Sequence, residues 1–202
     1  DKIMPLGAFK AALMGTAGAT AAGDVVLLST QTASDSASIT FSSDITSTYG
    51  EYIFKFYNIN PATDVQSFTF QANATDDPGG DYDASPMTTT LFRATHNEAD
   101  GITNLEYRSD REQAEGTAFQ QLIQGPGNGA DESLAGELHL FNPASTTYVK
   151  HFYSTITELY HSDYNQIWRC AGYFNDTTAI DDIQFKMTSG NFDGKIKMWG
   201  VK

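Results

Sequence analysis

The sequence predicts an all-β protein, an antiparallel β-sandwich of the jelly-roll type. Three observations carry this prediction: short segments of alternating polar and apolar residues, turn-forming residues between those segments, and 13 Phe and 10 Tyr among 202 residues. A period of two places alternate side chains on opposite faces of a strand. Strand patterns do not alternate with helix patterns along the chain, so a doubly wound α/β fold is excluded.

The clearest element is a β-hairpin made of residues 137–141 and 148–159. The first segment, ELHLF, alternates polar and apolar residues. The second is rich in β-branched and aromatic residues and lacks Gly and Pro, which favours a long strand. The linker at 142–146, NPAST, has turn chemistry because its Pro fixes φ and lacks an N–H donor. We therefore expect these two strands to pair.

Further strands are predicted from the same alternation. Residues 51–59 place Tyr52 and Phe54 on one face, and residues 65–72 repeat the pattern, so we expect these two segments to form a second hairpin. The other predicted strands cover residues 24–31, 37–42, 87–95, 102–107, 167–174, 183–187 and 195–201. Ten to eleven short strands with turn signals between them indicate a sandwich.

Residues 109–124 are the one segment with a helix pattern. Ser109 followed by Glu112 resembles a capping box, and apolar residues near the end of the segment recur at helical spacing. Gly116 interrupts this pattern, and a strand over 118–124 fits almost as well. The fold is therefore expected to contain at most one short helix.

We expect one domain over residues 24–202, preceded by an N-terminal arm over residues 1–23. The arm is rich in Ala, Gly and Thr, which fits either a segment that packs on a neighbouring molecule or a disordered tail. The domain is long enough to bury a core without disulfides. The single cysteine, Cys170, is expected to be a buried apolar residue, because no basic partner for a thiolate lies near it in sequence.

The charge of the chain excludes some partners. Its formal net charge is −13 and its pI is about 4.4, whereas phosphate binding needs clustered Lys and Arg. We therefore expect no nucleic-acid partner and no binding to an anionic membrane surface. No window approaches 18 apolar residues, so we expect no transmembrane span.

Residues 76–83 form the best candidate for a metal site. Four carboxylates, those of Asp76, Asp77, Asp81 and Asp83, lie on a Gly-rich loop, and such a loop can wrap a hard cation such as Ca²⁺. The spacing is not that of the twelve-residue calcium loop, and a solvated hairpin tip is the alternative interpretation. No other cofactor is expected.

Aromatic residues of the C-terminal third supply the candidate contact residues. Residues 160–165 are predicted to form a loop, and exposed Tyr and Trp anchor interfaces and stack on sugar rings. Tyr160, Tyr164 and Trp168 are therefore the candidates for contact with a glycan or a partner protein.

Catalytic signatures are absent from the sequence. It contains no nucleophile elbow, phosphate loop or dinucleotide fingerprint, and its four histidines lack zinc-ligand spacing. Glu137 and Glu158 fall on predicted neighbouring strands, so a carboxylate pair for glycoside cleavage remains an alternative. The expectation is a protein that is not an enzyme.

Several short blocks carry a resemblance: MPLGAFK at 4–10, EYIFKF at 51–56, HLFNP at 139–143 with YVKHF at 148–152, and GKIKMWGVK at 194–202. Together they resemble structural proteins of marine tailed bacteriophages, of the cyanophage and pelagiphage kind. The resemblance implies a virion protein of a tail fibre or of the capsid exterior. It supplies no functional residues.

We therefore expect a non-enzymatic structural protein on the virion exterior, either a receptor-binding fibre module or a capsid decoration module. Its expected partners are further copies of itself in a homo-oligomer, a trimer, together with other virion proteins and host-surface glycans. Two alternatives remain at this point. One is a stand-alone carbohydrate-binding module that uses Tyr160, Tyr164 or Trp168, and the other is a glycan-cleaving enzyme.

The calcium hypothesis predicts a measurable stabilisation. A cation held by the 76–83 loop binds the folded state only, so millimolar Ca²⁺ should raise the melting temperature, and a chelator should reverse the rise. Thermal unfolding with Ca²⁺, with Mg²⁺ and with EDTA measures this effect. An unchanged melting temperature in all three conditions would contradict the site.

Overall fold

The structure, a computed structural model, describes residues 24–76, 82 and 85–202. The predicted N-terminal arm at 1–23 lies outside the described residues. The described residues form twelve strands, which are β1 (Val25–Ser36), β2 (Ser38–Phe41), β3 (Glu51–Pro61), β4 (Ser67–Ala74), β5 (Met87–Asn97), β6 (Thr103–Tyr107), β7 (Gln120–Gln124), β8 (Leu134–Phe141), β9 (Lys150–Tyr160), β10 (Tyr164–Phe174), β11 (Ile180–Met187) and β12 (Phe192–Val201).

The strands form two antiparallel sheets that pack as a sandwich, which confirms the predicted fold class. The larger sheet has the order β1-β12-β3-β8-β9-β10-β5-β6, and the smaller has the order β2-β11-β4-β7. Eight strands form four nested pairs, in each of which an earlier strand pairs with a later one: β1 with β12, β2 with β11, β3 with β8, and β4 with β7. This nested pairing is the jelly-roll connectivity. The pairs β5–β6 and β9–β10 are insertions that widen the larger sheet.

One predicted hairpin is confirmed and the other is wrong. Strands β8 and β9 pair from Leu134 opposite Glu158 to Leu140 opposite Phe152. Strands β3 and β4 do not pair, because β3 belongs to the larger sheet and β4 to the smaller one. Their connection crosses between the two sheets. Both strands bury apolar side chains in the shared core. The local sequence pattern is the same whether or not two such strands pair with each other.

The helix pattern at 109–124 was misleading, since the strand alternative is the one that forms. Strand β7 covers Gln120–Gln124, and the preceding residues pack on β5 as an irregular segment. Gly116 bridges Met87, and the Gln113 amide donates to Thr89 Oγ1 at 2.9 Å. A short helix has little stability of its own, so these tertiary contacts decide the conformation. In the described part of the chain, no helix is long and apolar enough to cross a membrane.

An aromatic cluster joins the two sheets. Phe185 on β11 lies at its centre, with its ring centroid 5.2–6.4 Å from those of five other Phe residues, which are Phe41, Phe54, Phe56, Phe68 and Phe70. Most of these ring pairs adopt edge-to-face or tilted geometries, which aromatic side chains prefer to face-to-face stacking. The cluster explains the high Phe content of the sequence.

The two sheets differ in width, so the smaller sheet does not cover all of the larger one. At the β5–β6 end, the inner face of the larger sheet is covered by residues 109–119 and by polar side chains instead. Arg108 on this margin donates to Gln124 Oε1 of β7 at 3.1 Å, which ties the larger sheet to the smaller. The margin is therefore where polar groups become buried.

Replacement of Phe185 tests the role of the aromatic cluster. Phe185→Ala removes the ring that contacts both sheets, and we expect a loss of about 3–5 kcal/mol in the free energy of unfolding, measured by denaturant titration. Ile102→Ala, at an exposed position, is the control and should change this free energy by about 0.5 kcal/mol or less. Similar losses for both variants would contradict the central role of Phe185.

Candidate functional site

The predicted loop at 160–165 is a tight turn between β9 and β10. Asp163 has a φ of 61°, and its amide donates to the Tyr160 carbonyl at 2.9 Å, which closes the turn. The rings of Tyr160 and Tyr164 are stacked, with centroids 5.7 Å apart and planes at 17°. Both rings are half-buried, so this turn brings two of the three predicted contact residues together.

Tyr160 is held by the connection between β7 and β8. Gly125 lies against its ring, and a Cβ added to Gly125 would lie 2.5 Å from Tyr160 Cε2. Pro126 forms a β-bridge with Tyr160. The Tyr160 ring therefore packs on neighbouring backbone, and much of its surface is unavailable to a ligand.

The expectation that Trp168 contacts a ligand needs correction, because its side chain is 1% exposed. Its indole N–H donates to Glu158 Oε1 and Gln166 Oε1, each at 3.0 Å. The guanidinium groups of Arg93 and Arg108 lie 5.3 and 5.2 Å from the ring centroid. Trp168 is thus a core residue clamped by two cations, and it presents no ring face to solvent.

Glu158 is a buried acid beside this tryptophan. It is 3% exposed, and its second carboxyl oxygen, Oε2, has no hydrogen-bond partner among the described residues. Burial raises the pKa of the Glu158 carboxyl well above its ordinary value, although the Trp168 hydrogen bond and Arg93 oppose the shift. The side chain is therefore more easily protonated than a solvated glutamate.

The suggested carboxylate pair does not form, because Glu137 and Glu158 point to opposite faces of the larger sheet. Strand β9 alternates buried and more exposed residues, with Glu158 on the inner side, whereas Glu137 is half-exposed and forms an ion pair with Lys55 at 3.2 Å. Two carboxylates that flank one glycosidic bond must face the same space. These two residues cannot share a substrate.

Glu137 belongs to a polar cluster on the outer side of the sheet. His139 lies between two carboxylates, with Nδ1 2.5 Å from Glu51 Oε1 and Nε2 3.2 Å from Glu137 Oε1. The His139 ring stacks on Tyr153 at 4.5 Å. Partial burial raises the pKa of the Glu137 carboxyl, but His139 and Lys55 outweigh it and lower that pKa below its ordinary value. The arrangement fits a structural ion-pair network.

The predicted calcium loop lies largely outside the described residues, since Asp77, Asp81 and Asp83 are not described. Asp76 is exposed, and its Oδ2 accepts a hydrogen bond from Thr178 Oγ1 at 3.0 Å. Among the described residues, no group of three or more His, Cys, Asp or Glu side chains is arranged to hold a metal ion. The calcium site stays a prediction.

A buried ammonium lies beside Asp76. Lys150 is fully buried, and its Nζ donates to the Asp176 carbonyl at 3.0 Å and to the Thr178 carbonyl. Burial lowers the pKa of Lys150, while Asp176 and Asp76 act in the opposite direction. The lysine thus supplies positive charge at the Asp76 end of the acidic loop.

Cys170 is buried, as the sequence predicted. Burial alone raises the pKa of its thiol, and no cation or hydrogen bond favours the thiolate. The residue therefore has the properties of a small apolar core residue.

Sequence reasoning missed a cleft at the opposite end of β9, which we call the Tyr148 cleft. Its volume is about 860 Å³, within the usual range of small-molecule sites. Its lining comes from three connections and comprises Ser47, Tyr49, Gly50, Phe141, Asn142, Ala144, Ser145, Thr147, Tyr148, Val149, His151 and Thr177. Tyr148 is 74% exposed. The sequence signal was present in the Asn/Ser/Thr-rich linker at 142–146, which was assigned to a plain turn, while Tyr148 and Val149 were assigned to a strand that in fact begins at Lys150.

Sequence reasoning also missed an apolar surface on the outer face of the larger sheet, which is the face directed away from the smaller sheet. Ile167, Ala94 and Leu105 lie side by side across β10, β5 and β6, and Phe92 lies opposite Tyr107 in the neighbouring row. Leu105 is 71% exposed. We call Phe92, Leu105, Tyr107 and Ile167 the outer-face patch.

No protein-family profile matches this chain, and no curated protein matches its sequence significantly. The described residues form an acidic jelly-roll β-sandwich with one sheet face that no other described segment covers and a cleft at one end.

Replacement of Glu158 tests the buried acid. A group whose pKa is raised by folding stabilises the fold fully below its unfolded value, about 4.3 for Glu, and this stability is lost as the pH rises through the folded pKa. Glu158→Gln removes that dependence. We expect its free energy of unfolding to exceed that of the wild type increasingly as the pH is raised, measured by urea unfolding across the pH range.

Glu137→Gln is the matched control, with the opposite sign. The pKa of Glu137 is lowered, so its charged form stabilises the fold above the ordinary Glu value. Glu137→Gln should therefore lower the free energy of unfolding at neutral pH. Equal pH profiles for wild type and Glu158→Gln would contradict a buried acid at position 158.

Proposed function

We propose that this chain is a non-enzymatic structural protein of a bacteriophage virion. In this proposal it lies on the particle exterior as a tail-fibre or capsid-decoration module, assembles into a homo-oligomer, and contacts host-surface glycans. The jelly-roll connectivity and the acidic surface are compatible with this role, and the resemblance of several sequence blocks to marine phage proteins supports it.

The observation that carries the proposal is the outer face of the larger sheet, which no other described segment of the chain covers. Eight large apolar residues on this face are exposed, which are Val25, Leu27, Tyr57, Phe92, Leu105, Tyr107, Tyr153 and Ile167. Soluble monomers rarely expose contiguous apolar patches, and such a patch rimmed by polar residues marks a protein interface. The outer-face patch is contiguous across three strands.

The composition of the face favours a further copy of the chain as the partner. Basic and acidic side chains lie in one cross-strand row of the same face, with Lys55 opposite Glu137 and Arg169 opposite Phe92. Alternating charges beside apolar residues allow a surface to complement itself in a symmetric assembly. A homo-oligomer, for which we expect a trimer, would cover the patch.

Substitutions in the patch test the oligomer. Phe92→Asp and Leu105→Asp each place a charge in the interface, and we expect each to weaken association by about tenfold or more. Size-exclusion chromatography with light scattering over a concentration series measures this. Val65→Asp is the control, because Val65 is exposed but lies on the β3–β4 connection, and it should leave the oligomer unchanged. A wild type that remains monomeric at high concentration would contradict the oligomer.

The virion location needs a separate measurement. Antibodies raised against the purified chain should label the surface of intact particles of the phage that encodes it, seen by electron microscopy, and the chain should be found among the proteins of purified particles. Its absence from purified particles would overturn the virion assignment, whatever its oligomeric state.

A further inference from the structure

We propose that the Tyr148 cleft binds a neutral glycan, with the Tyr148 ring as the platform for one sugar ring. The inference rests on the proposed attachment role for its biological meaning, and it moves the predicted glycan contact away from Tyr160, Tyr164 and Trp168. The two locations are distinct: the cleft includes His151 near the start of β9, whereas Tyr160 ends that strand about 30 Å away.

Tyr148 has an exposed ring on a backbone that is held by hydrogen bonds. Its backbone is fixed by Ser145, whose Oγ accepts hydrogen bonds from the amides of Thr147 at 3.2 Å and Tyr148 at 3.0 Å. The side chain makes no hydrogen bond or ring contact within the described part of the chain. An exposed tyrosine ring on a fixed backbone has only two side-chain torsions to order, so it offers apolar area at low entropic cost for stacking against the C–H face of a sugar.

A second tyrosine forms a fixed part of the lining. The Tyr49 ring packs edge-on against Tyr52, with centroids 5.9 Å apart and planes at 84°. Gly200 leaves the space that this ring occupies, since a Cβ there would lie 2.5 Å from the ring. Tyr49 is therefore held against the core while part of it lines the cleft.

Unused hydrogen-bonding groups surround these rings. The cleft is lined by the side-chain amide of Asn142 and by the hydroxyls of Ser47, Thr147 and Thr177. None of these four side chains forms a hydrogen bond with a described residue. An amide offers two donors and an acceptor, and each hydroxyl offers both roles. This set matches the hydroxyl groups of a sugar, which also donate and accept.

The charge of the lining selects against other ligand classes. None of the twelve described lining residues is Asp, Glu, Lys or Arg, and His151 is the one that can become cationic, so the lining offers no permanent positive charge to a carboxylated or sulfated glycan. The net charge of −13 adds repulsion for such ligands. An aliphatic ligand would leave the amide and hydroxyl groups without partners, which is costly. A neutral glycan satisfies both the rings and the polar groups.

The cleft is held in place by backbone contacts between distant segments. The backbone amide of Asn142 donates to the Gly50 carbonyl at 2.7 Å, and the backbone amide of Gly50 donates to the Val201 carbonyl at 3.0 Å. The Ile180 amide donates to the Pro143 carbonyl at 2.9 Å. A preformed site loses little conformational entropy on binding, which favours weak ligands such as sugars.

A glycan array followed by calorimetry with the best neutral oligosaccharide tests the inference on the intact chain. We expect selective binding of neutral over acidic glycans. Tyr148→Ala should weaken the affinity by about tenfold or more, and Tyr148→Phe by about threefold or less, because the ring remains. Asn142→Asp keeps a residue that tolerates the φ of 45° but loses the amide donors, and it should also weaken binding.

Tyr164→Ala is the matched control at the other end of β9 and should bind as the wild type does. Loss of binding in Tyr164→Ala with none in Tyr148→Ala would return the site to the 160–165 turn and overturn the inference. Binding of acidic glycans alone, or of none at millimolar concentration, would also overturn it. Glycan binding by a chain that is absent from particles would refute the virion role and leave the cleft assignment standing.

Discussion

The constraint on which the structure depends is that two sheets of unequal width share one core. Where four strands cover four, rings around Phe185 fill the space between the sheets. Where the larger sheet continues through β5 to β6, the described strands of the smaller sheet no longer cover all of its inner face. The Trp168 clamp, the buried Glu158 and the segment at 109–119 fill that margin instead. The buried polar groups therefore fill the part of the interior that the smaller sheet does not cover.

The same widening produces the surface that we assign to assembly. The inserted strands widen the larger sheet, and no other described segment covers their outer sides, so Phe92 and Leu105 are exposed. The Tyr148 cleft has a different origin, because it is built where three connections meet at one end of the sandwich. The proposed interface on the sheet face and the proposed ligand site at the end of the sandwich do not overlap, so occupation of one does not block the other.

Local alternation was sufficient to predict the fold class and most strands, because one face of each strand must be apolar. It did not predict which strands pair: 51–59 and 65–72 are adjacent in sequence but lie in different sheets. The burial of Trp168 was within reach, since Cys170 was expected to be buried and lies two residues away on the same strand face. The Tyr148 cleft could not be predicted from the sequence, because the segments that line it meet only through the jelly-roll connectivity.

The nested pairing has a consequence for how the protein folds. In the described part of the chain, β1 finds its strand partner only in β12, so an early segment must wait for a late one. Contacts this distant in sequence slow folding, and until β12 is in place, β1 and the edge of β3 that pairs with β12 remain unpaired and prone to aggregate. Because early strands pair with late strands in both sheets, as in β1–β12 and β2–β11, opening the sandwich requires many strands to separate together. We therefore expect this fold to form slowly and to come apart slowly, so that its persistence depends on its unfolding rate as well as on its equilibrium stability.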